Sequence, residues 1–228
     1  SKPNNMTIKA VFFDLDGTLL DSAPDFVHTL NQLCDEYSVA PISERKIYQT
    51  VSNGARALTT LAFGLNDDET GFEERRLRLL DIYFEQMGKN CRLYDGITAL
   101  LQQLKEHKLY WGVITNKPDR FTQPILDALE FPARPDVVLC PDHVTRAKPA
   151  PEALELACKQ TGCKPAEVIY IGDHKRDIDC GISAGSKTIA AGFGYIEQDD
   201  DIALWNADYI VQHVNEIWPI IQLNLSVK

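Results

Sequence analysis

The chain has 228 residues, 44% hydrophobic and 25% charged, an ordinary globular balance that allows one good-sized domain plus a smaller one. Its net charge of -10 argues against a nucleic-acid groove, which relies on clustered Lys and Arg, so an anionic partner would be a small molecule drawn by local positive groups and a metal ion. No apolar run reaches the length of a membrane span, and Ser1 to Asn5 carry no apolar signal region, so a cytoplasmic protein is expected, with Met6 a candidate natural start.

In chain order, Ile8 to Phe13 is long and apolar enough for a strand buried on both faces, and Asp16-Gly17 is a turn signal that ends it. Asp14 therefore stands at the carboxyl end of a central strand, the edge where open parallel sheets bind ligands. Residues two apart in an extended segment project to one side, so Asp14 and Asp16 can face one small volume. Taken alone, the pair reads equally well as a turn-shaping Asp16 with Asp14 capping a helix. A calcium loop fits poorly, because Thr18 and Leu19 stand where it wants a carboxylate and a glycine. What remains is a nucleophilic carboxylate with an acid/base neighbour beside a hard metal ion.

From about Ser22 to Gly88 the chain reads as helices without a convincing buried strand. Phe26, Leu30, Leu33 and Tyr37 recur at helical spacing, as do Leu77, Leu80, Phe84 and Met87. Ser43 to Thr50 and Ala55 to Phe63 lie between them, with breaks at Pro41, Asn53-Gly54, Gly64 and Gly71. From Asp95-Gly96 onward helices and strands alternate. Helices over 97–107, 120–129, 151–161 and 177–184 precede strands at 110–115, 137–140, 168–171 and 188–191, and Tyr209 to Val211 is a candidate for a last one. Such alternation means a parallel sheet with helices on both faces and its strand ends along one edge. The six cysteines are scattered without a Cys-x-x-Cys and read as reduced, mostly buried apolar residues.

The later strand ends are polar. Val113-Ile114 runs into Thr115-Asn116-Lys117-Pro118, a hydroxyl and backbone N-H groups suited to phosphate oxygens, though Thr115 alone serves equally as a loop opener. Ala147-Lys148-Pro149-Ala150-Pro151 places a lysine in a rigid setting just before a helix. Ile169-Tyr170-Ile171-Gly172-Asp173 again stops on an acid, with Asp177 four residues on. A helix started in this segment puts Asp173 and Asp177 on one side of its first turn, with Gly172 leaving room for close approach. Acids at a helix start often only complement the dipole. Converged on Asp14 and Asp16, however, four carboxylates require a cation, and oxygen-only ligands point to magnesium.

Asp14-x-Asp16-Gly17-Thr18, Thr115, Lys148 and Gly172-Asp173-x-x-x-Asp177, in this order, resemble the four motifs of the haloacid dehalogenase superfamily across nearly the whole chain. The resemblance implies an α/β, Rossmann-like parallel-sheet core over 1–20 and 92–228, with a small helical cap domain over 21–91 as in phosphoglycolate phosphatase-like members. It implies that Asp14 attacks the phosphorus of a phosphomonoester to form an aspartyl-phosphate, while Asp16 protonates the leaving oxygen and later activates water. Thr115, Gly17 and the Asn116 backbone would hold the phosphoryl group, and Lys148 would offset charge on it and on Asp14. Mg2+ would be bound by Asp14, the backbone carbonyl of Asp16 and Asp173, with Asp177 ligating through water or orienting Asp173. The presence of Asp16 argues against halide removal, which needs no leaving-group proton, whereas a β-phosphoglucomutase-like phosphoryl transferase or a non-catalytic binding protein of the same fold remain alternatives.

Substrate choice is expected from the cap. Asn53-Gly54-Ala55-Arg56 leads into a helix with a cation one turn inside, so Arg56 is a candidate for a substrate carboxylate, or else an ordinary solvent-facing arginine. A similar loop occurs in phosphoglycolate phosphatase-like sequences. Ser52 to Ala57, Cys140 to Thr145 and Gly192 to Ile196 together resemble phosphatases of N-acetylmuramic acid 6-phosphate. The expected partner is thus a small phosphorylated metabolite, either 2-phosphoglycolate or that amino-sugar phosphate. His143 and His174 read as polar loop and helix-start residues rather than catalysts.

Overall fold

The computed structural model describes residues 7–225; the segment Ser1 to Met6, with the leader and start-site expectations attached to it, lies outside them. The chain runs through β1 (Ala10–Phe13), β2 (Leu20–Asp21), α1 (Ala23–Glu36), α2 (Glu44–Thr50), α3 (Gly54–Phe63), α4 (Phe72–Gln86) and β3 (Arg92–Leu93). It continues through α5 (Ile97–Glu106), β4 (Tyr110–Ile114), α6 (Asp119–Ala128), β5 (Val137–Leu139), α7 (Glu152–Thr161) and β6 (Val168–Gly172). The last elements are α8 (Lys175–Ala184), β7 (Lys187–Ala191), β8 (Tyr209–Val211) and α9 (Ile217–Leu223).

Six strands form one parallel sheet in the order β5-β4-β1-β6-β7-β8. All four β1 residues are buried, and their side chains alternate between two cores as the strand period requires. Val11 and Phe13 join a cluster with Leu100, Leu101 and Leu104 of α5 and Ile125 of α6. Ala10 and Phe12 join Leu154 and Ala157 of α7 and Cys180 of α8 on the opposite face. Each large side chain so enclosed contributes about 1.5–3 kcal/mol. Being covered on both faces explains why β1 reads as an unbroken apolar run.

The register places the chemistry. Phe13 pairs with Val113 of β4 and with Ile171 of β6, so Asp14, Thr115 and Asp173 leave the sheet at nearly one level. Asp14 N donates to Ile171 O at 2.9 Å and Thr115 N to Leu139 O at 2.9 Å, extending the ladder to the edge itself.

Helices α1 to α4 share a second core in which Phe26 of α1 stacks on Tyr83 of α4 with ring centroids 4.1 Å apart. The buried face of α4 is Phe72, Leu79, Ile82 and Tyr83. This corrects the face read from spacing: Leu77 and Phe84 are half exposed, because α4 carries apolar residues on nearly all sides and packing chooses among them. The 22–88 stretch holds no strand, as read, but a ladder not read from the sequence flanks it: β2 and β3 pair antiparallel through Leu20 with Leu93 and Asp21 with Arg92. Two-residue strands carry no readable alternation. The buried Asp25 of α1 accepts from Gly88 N at 2.9 Å and Asn90 N at 2.8 Å, fixing the segment that leads from α4 to β3. Helix α9 was not foreseen either; its Ile217 and Ile221 pack into the main core. All six cysteines are free, five of them buried.

Candidate active site

The edge of the sheet holds two distinct acidic corners. In the first, Asp14, Asp173 and Asp177 each offer a carboxylate oxygen, all within 4.8 Å of one another and all buried. Asp14 ends β1 and Asp173 follows β6. Asp177 lies in the first turn of α8, with Asp173 outside the helix before its N-cap His174, so the two do not share a helical turn as the spacing suggested. Gly172 is what lets them approach: a Cβ there would lie 2.4 Å from Asp177 Oδ2. Gly17 and Gly194 back Asp173 in the same manner, with a Cβ 2.1 Å from its Oδ2 at Gly17 and 2.3 Å from its Cβ at Gly194. Gly17 has φ +84, a left-handed turn that favours glycine, and its N-H is already bonded to Leu20 O at 2.9 Å.

One buried cation faces this corner. Lys148 Nζ lies 3.0 Å from Asp14 Oδ1, 2.7 Å from Asp177 Oδ1, 2.9 Å from Ile114 O and 2.8 Å from the Tyr170 hydroxyl. Burial pulls its pKa down, but Asp14 and Asp177 outweigh this and hold it above the ordinary lysine value. Burial also pushes Asp177 up, yet Lys148 and Arg176 overcome it and keep that carboxyl low. Asp14 and Asp173 are pushed up by burial and then by the Asp177 charge. One lysine thus leaves the three carboxylates short of positive charge, which is the electrostatic demand a bound cation meets.

The second corner belongs to Asp16, which corrects the expectation of four converging carboxylates. Its side chain turns away from the other three, and Oδ1 accepts from Lys117 Nζ at 3.0 Å and from Ser22 Oγ. Lys117 is buried and also contacts the Tyr83 hydroxyl. Its ammonium lies 4.6 Å from the Tyr83 ring centroid and 5.1 Å from that of Phe26. Burial lowers the pKa of Lys117, but Asp16 and Tyr83 raise it well above the ordinary value.

Between the corners sits Thr115, buried, with Oγ1 accepting from Lys117 N at 3.0 Å. The Asn116 side chain is spent on positioning: its Nδ2 donates to Lys148 O at 3.0 Å and its Oδ1 accepts from Lys148 N at 3.1 Å. This clasp ties the β4 edge to the Lys148 loop, whose Lys148-Pro149 peptide bond is cis.

A cavity of about 300 Å³ opens onto Asp14, Asp16, Thr115 and Asn116 from the side of α1, α3 and α4. Arg56, Arg76 and Arg176 also line it. Arg76 is paired with Glu73. Arg56 leans over the Phe72 ring at 6.0 Å, and no carboxylate partner of Arg56 or Arg176 is seen among the described residues. The loop before α3 touches the core directly: Ser52 Oγ donates to Asp173 Oδ2 at 2.8 Å, while Asn53 binds Glu197 through Nδ2 and His174 Nε2 through Oδ1 at 3.0 Å. His174 Nδ1 also accepts from Arg176 N at 3.1 Å, so it serves the start of α8, as read.

Asp14, Thr115, Lys148, Asp173 and Asp177 are thus brought together, with Asp16 and Asn116 adjoining them and Arg56 across the cavity. Gly17 backs Asp173 and does not line the cavity. Lys117, Tyr83, Ser22 and Ser52 are contacts the sequence reading assigned no role. Only the string Thr115-Asn116-Lys117 hinted at one of them.

A family profile described as haloacid dehalogenase-like hydrolase matches residues 11–191. An N-acetylmuramic acid 6-phosphate phosphatase of Pseudomonas aeruginosa is 47% identical over 212 residues, 93% of this chain and 94% of the relative. A phosphoglycolate phosphatase of Xanthomonas campestris pv. campestris is 36% identical, covering 92% and 95%. Among solved structures, a predicted phosphoglycolate phosphatase from Haemophilus somnus superposes with a TM-score of 0.83 at 27% identity, covering 96% of this chain and 99% of that one. Among the described residues, no helix is long and apolar enough to cross a membrane.

Proposed function

Because this chain belongs to the haloacid dehalogenase-like hydrolases and is a phosphatase among them, we propose that it hydrolyses a small sugar phosphate through an aspartyl-phosphate on Asp14. The observation that carries this is the division of labour at one strand end: Asp14 is held by Lys148, whereas Asp16, two residues on, is held apart by Lys117. Two carboxylates in different surroundings are what a nucleophile and an acid/base need.

In the first step an Asp14 oxygen forms a bond to phosphorus while the ester P-O bond breaks, and the departing alkoxide takes a proton from Asp16. In the second, Asp16 removes a proton from water, the water oxygen bonds to phosphorus, and the P-O bond to Asp14 breaks, releasing inorganic phosphate. Thr115 Oγ and the Asn116 N-H hold the transferring phosphoryl oxygens, and Lys148 offsets the charge shared by them and Asp14. The oxygen-only donor set of Asp14, Asp173, Asp177 and the Asp16 carbonyl, packed against glycines that leave no room for a Cβ, fits Mg2+. Bound there, Mg2+ neutralises the carboxylate crowd and stabilises negative charge on the phosphoryl oxygens.

The residues of 21–91 serve as the cap that closes over the substrate. N-acetylmuramic acid 6-phosphate is the favoured substrate, supported by the 47% identical relative and by Arg56 and Arg176 on the cavity wall, which have no carboxylate partner among the described residues and suit a carboxylate-bearing ring substituent. 2-Phosphoglycolate, also a carboxylate, is the second reading, supported by the 36% identical relative. Phosphate release from both substrates, from hexose phosphates and from an aryl phosphate, with and without Mg2+, tests the proposal. Magnesium-dependent release with preference for the amino-sugar phosphate is expected, and Asp14→Asn should reduce it at least ~10³-fold. Release by Asp14→Asn at the wild-type rate refutes the aspartyl-phosphate.

A further inference from the structure

The surroundings of Lys117 are costly. Its ammonium is buried beside the stacked rings of Phe26 and Tyr83, where an apolar side chain would pack without a desolvation penalty. The charge is spent on Asp16, and on one oxygen of it: Lys117 Nζ and Ser22 Oγ both bond Oδ1, and Oδ2 has no protein partner among the described residues. The backbone N-H of Lys117 is fixed on Thr115 Oγ1, so the same residue is anchored to the group that faces the phosphoryl oxygens. Its third neighbour, the Tyr83 hydroxyl, comes from α4 and not from the sheet.

We propose that Lys117 is the positioning residue of the acid/base Asp16. It pins Oδ1 so that Oδ2 presents the proton to the leaving oxygen, and Tyr83 aims the ammonium only while α4 is docked over the site. This rests on the reading of Asp16 as general acid. A phosphoryl group therefore meets a correctly oriented acid only beneath a closed cap.

Leaving-group dependence tests it in a way that a merely structural role would not move. Single-turnover release of the leaving group is measured for N-acetylmuramic acid 6-phosphate, or another alkyl phosphate that wild type turns over, and for p-nitrophenyl phosphate, whose stable phenolate departs without a proton. Lys117→Met should slow the first step on the alkyl substrate by about 10²-fold, the usual scale of general acid catalysis, and at least tenfold more than on the aryl one. Tyr83→Phe keeps both aromatic packings and should show the same split at about threefold or more, one hydrogen bond's worth. It decides the matter alone if Lys117→Met does not fold. Equal losses on the two substrates, or none, overturn the proposal. Asp16→Asn separates the layers: if it shows the split and the Lys117 and Tyr83 variants do not, the positioning role alone falls. If Asp16→Asn shows no split, the acid role of Asp16 falls and the proposal with it.

Discussion

Replacing Lys148 by Met keeps most of the side-chain volume and removes the positive charge that lies 3.0 Å from Asp14 and 2.7 Å from Asp177. Deleting one partner of a buried ion pair while its carboxylates remain costs about 3–5 kcal/mol. The upper half of that range is expected here, because Asp173 shares the corner and three acids are left instead of one. At about 2–4 °C per kcal/mol for a chain of this size, the midpoint of thermal unfolding should fall by roughly 8–20 °C in chelator. Mg2+ at about 100 times its dissociation constant stabilises a folded state by ~2.7 kcal/mol, and the variant, lacking the competing ammonium, should bind it more tightly than wild type. The gap between the two proteins therefore narrows as Mg2+ is raised. Urea or thermal unfolding of both, with chelator and along a Mg2+ titration, measures this. A loss below about 1 kcal/mol, or a gap indifferent to Mg2+, refutes the view that these carboxylates are a single undercompensated cluster.

Three further outcomes follow from the geometry. Gly194→Ala sets a Cβ 2.3 Å from that of Asp173, so the Mg2+ concentration giving half-maximal activity should rise about 10–100-fold, as for other changes behind a metal ligand; an unchanged value refutes the cradle. Asn53→Ala removes the contacts to His174 and Glu197, together about 1–3 kcal/mol, so KM should rise several-fold in steady-state kinetics. An unaltered KM refutes a role for this contact in closing the cap. Finally, Asp14 and Asp173 titrate above their ordinary value of 3.8 in the folded chain, so in chelator the native state holds more protons than the unfolded one between that value and the raised ones. Below the range near 6.5 where His174, held low by burial, opposes, stability should accordingly rise as pH is lowered into that window, with Asp177, held low, opposing at still more acid pH. Urea midpoints that fall steadily as the chelated protein is acidified from pH ~7 would count against it.

The sheet was legible because its signals are local. An apolar run buried on both faces ends where the sheet ends, and β1, β4, β6, β7 and β8 lie within two residues of the spans read from pattern. The acids at those ends were legible for the same reason. What escaped depends on separation along the chain. Lys117 and Asp16 stand 101 positions apart, and nothing in Thr115-Asn116-Lys117 says that the lysine turns inward to an acid rather than outward to water. That contact also explains why counting four converging carboxylates failed, since alternation fixes which side of a strand Asp16 faces only while the chain stays extended, and it already turns at Leu15. The buried face of α4 was misread because its apolar residues lie on several sides, and packing such as Phe26 on Tyr83 chooses among them.

The β2–β3 ladder has a consequence for how such a chain can diversify. The polypeptide enters the helical excursion through Leu20-Asp21 and comes back through Arg92-Leu93, and Leu20 and Leu93 are direct partners across this two-stranded ladder. Entry and exit are therefore one strand spacing apart, about 5 Å, whatever is threaded between them. Closing a flexible excursion at that point costs only ~0.6 kcal/mol more for each doubling of its length. Helices of other lengths and sequences can be spliced in without disturbing the register that sets Asp14, Thr115 and Asp173 at one level. On the function proposed above, the reaction is written into the sheet, while the choice of what it acts on sits in an excursion closed by two residue pairs.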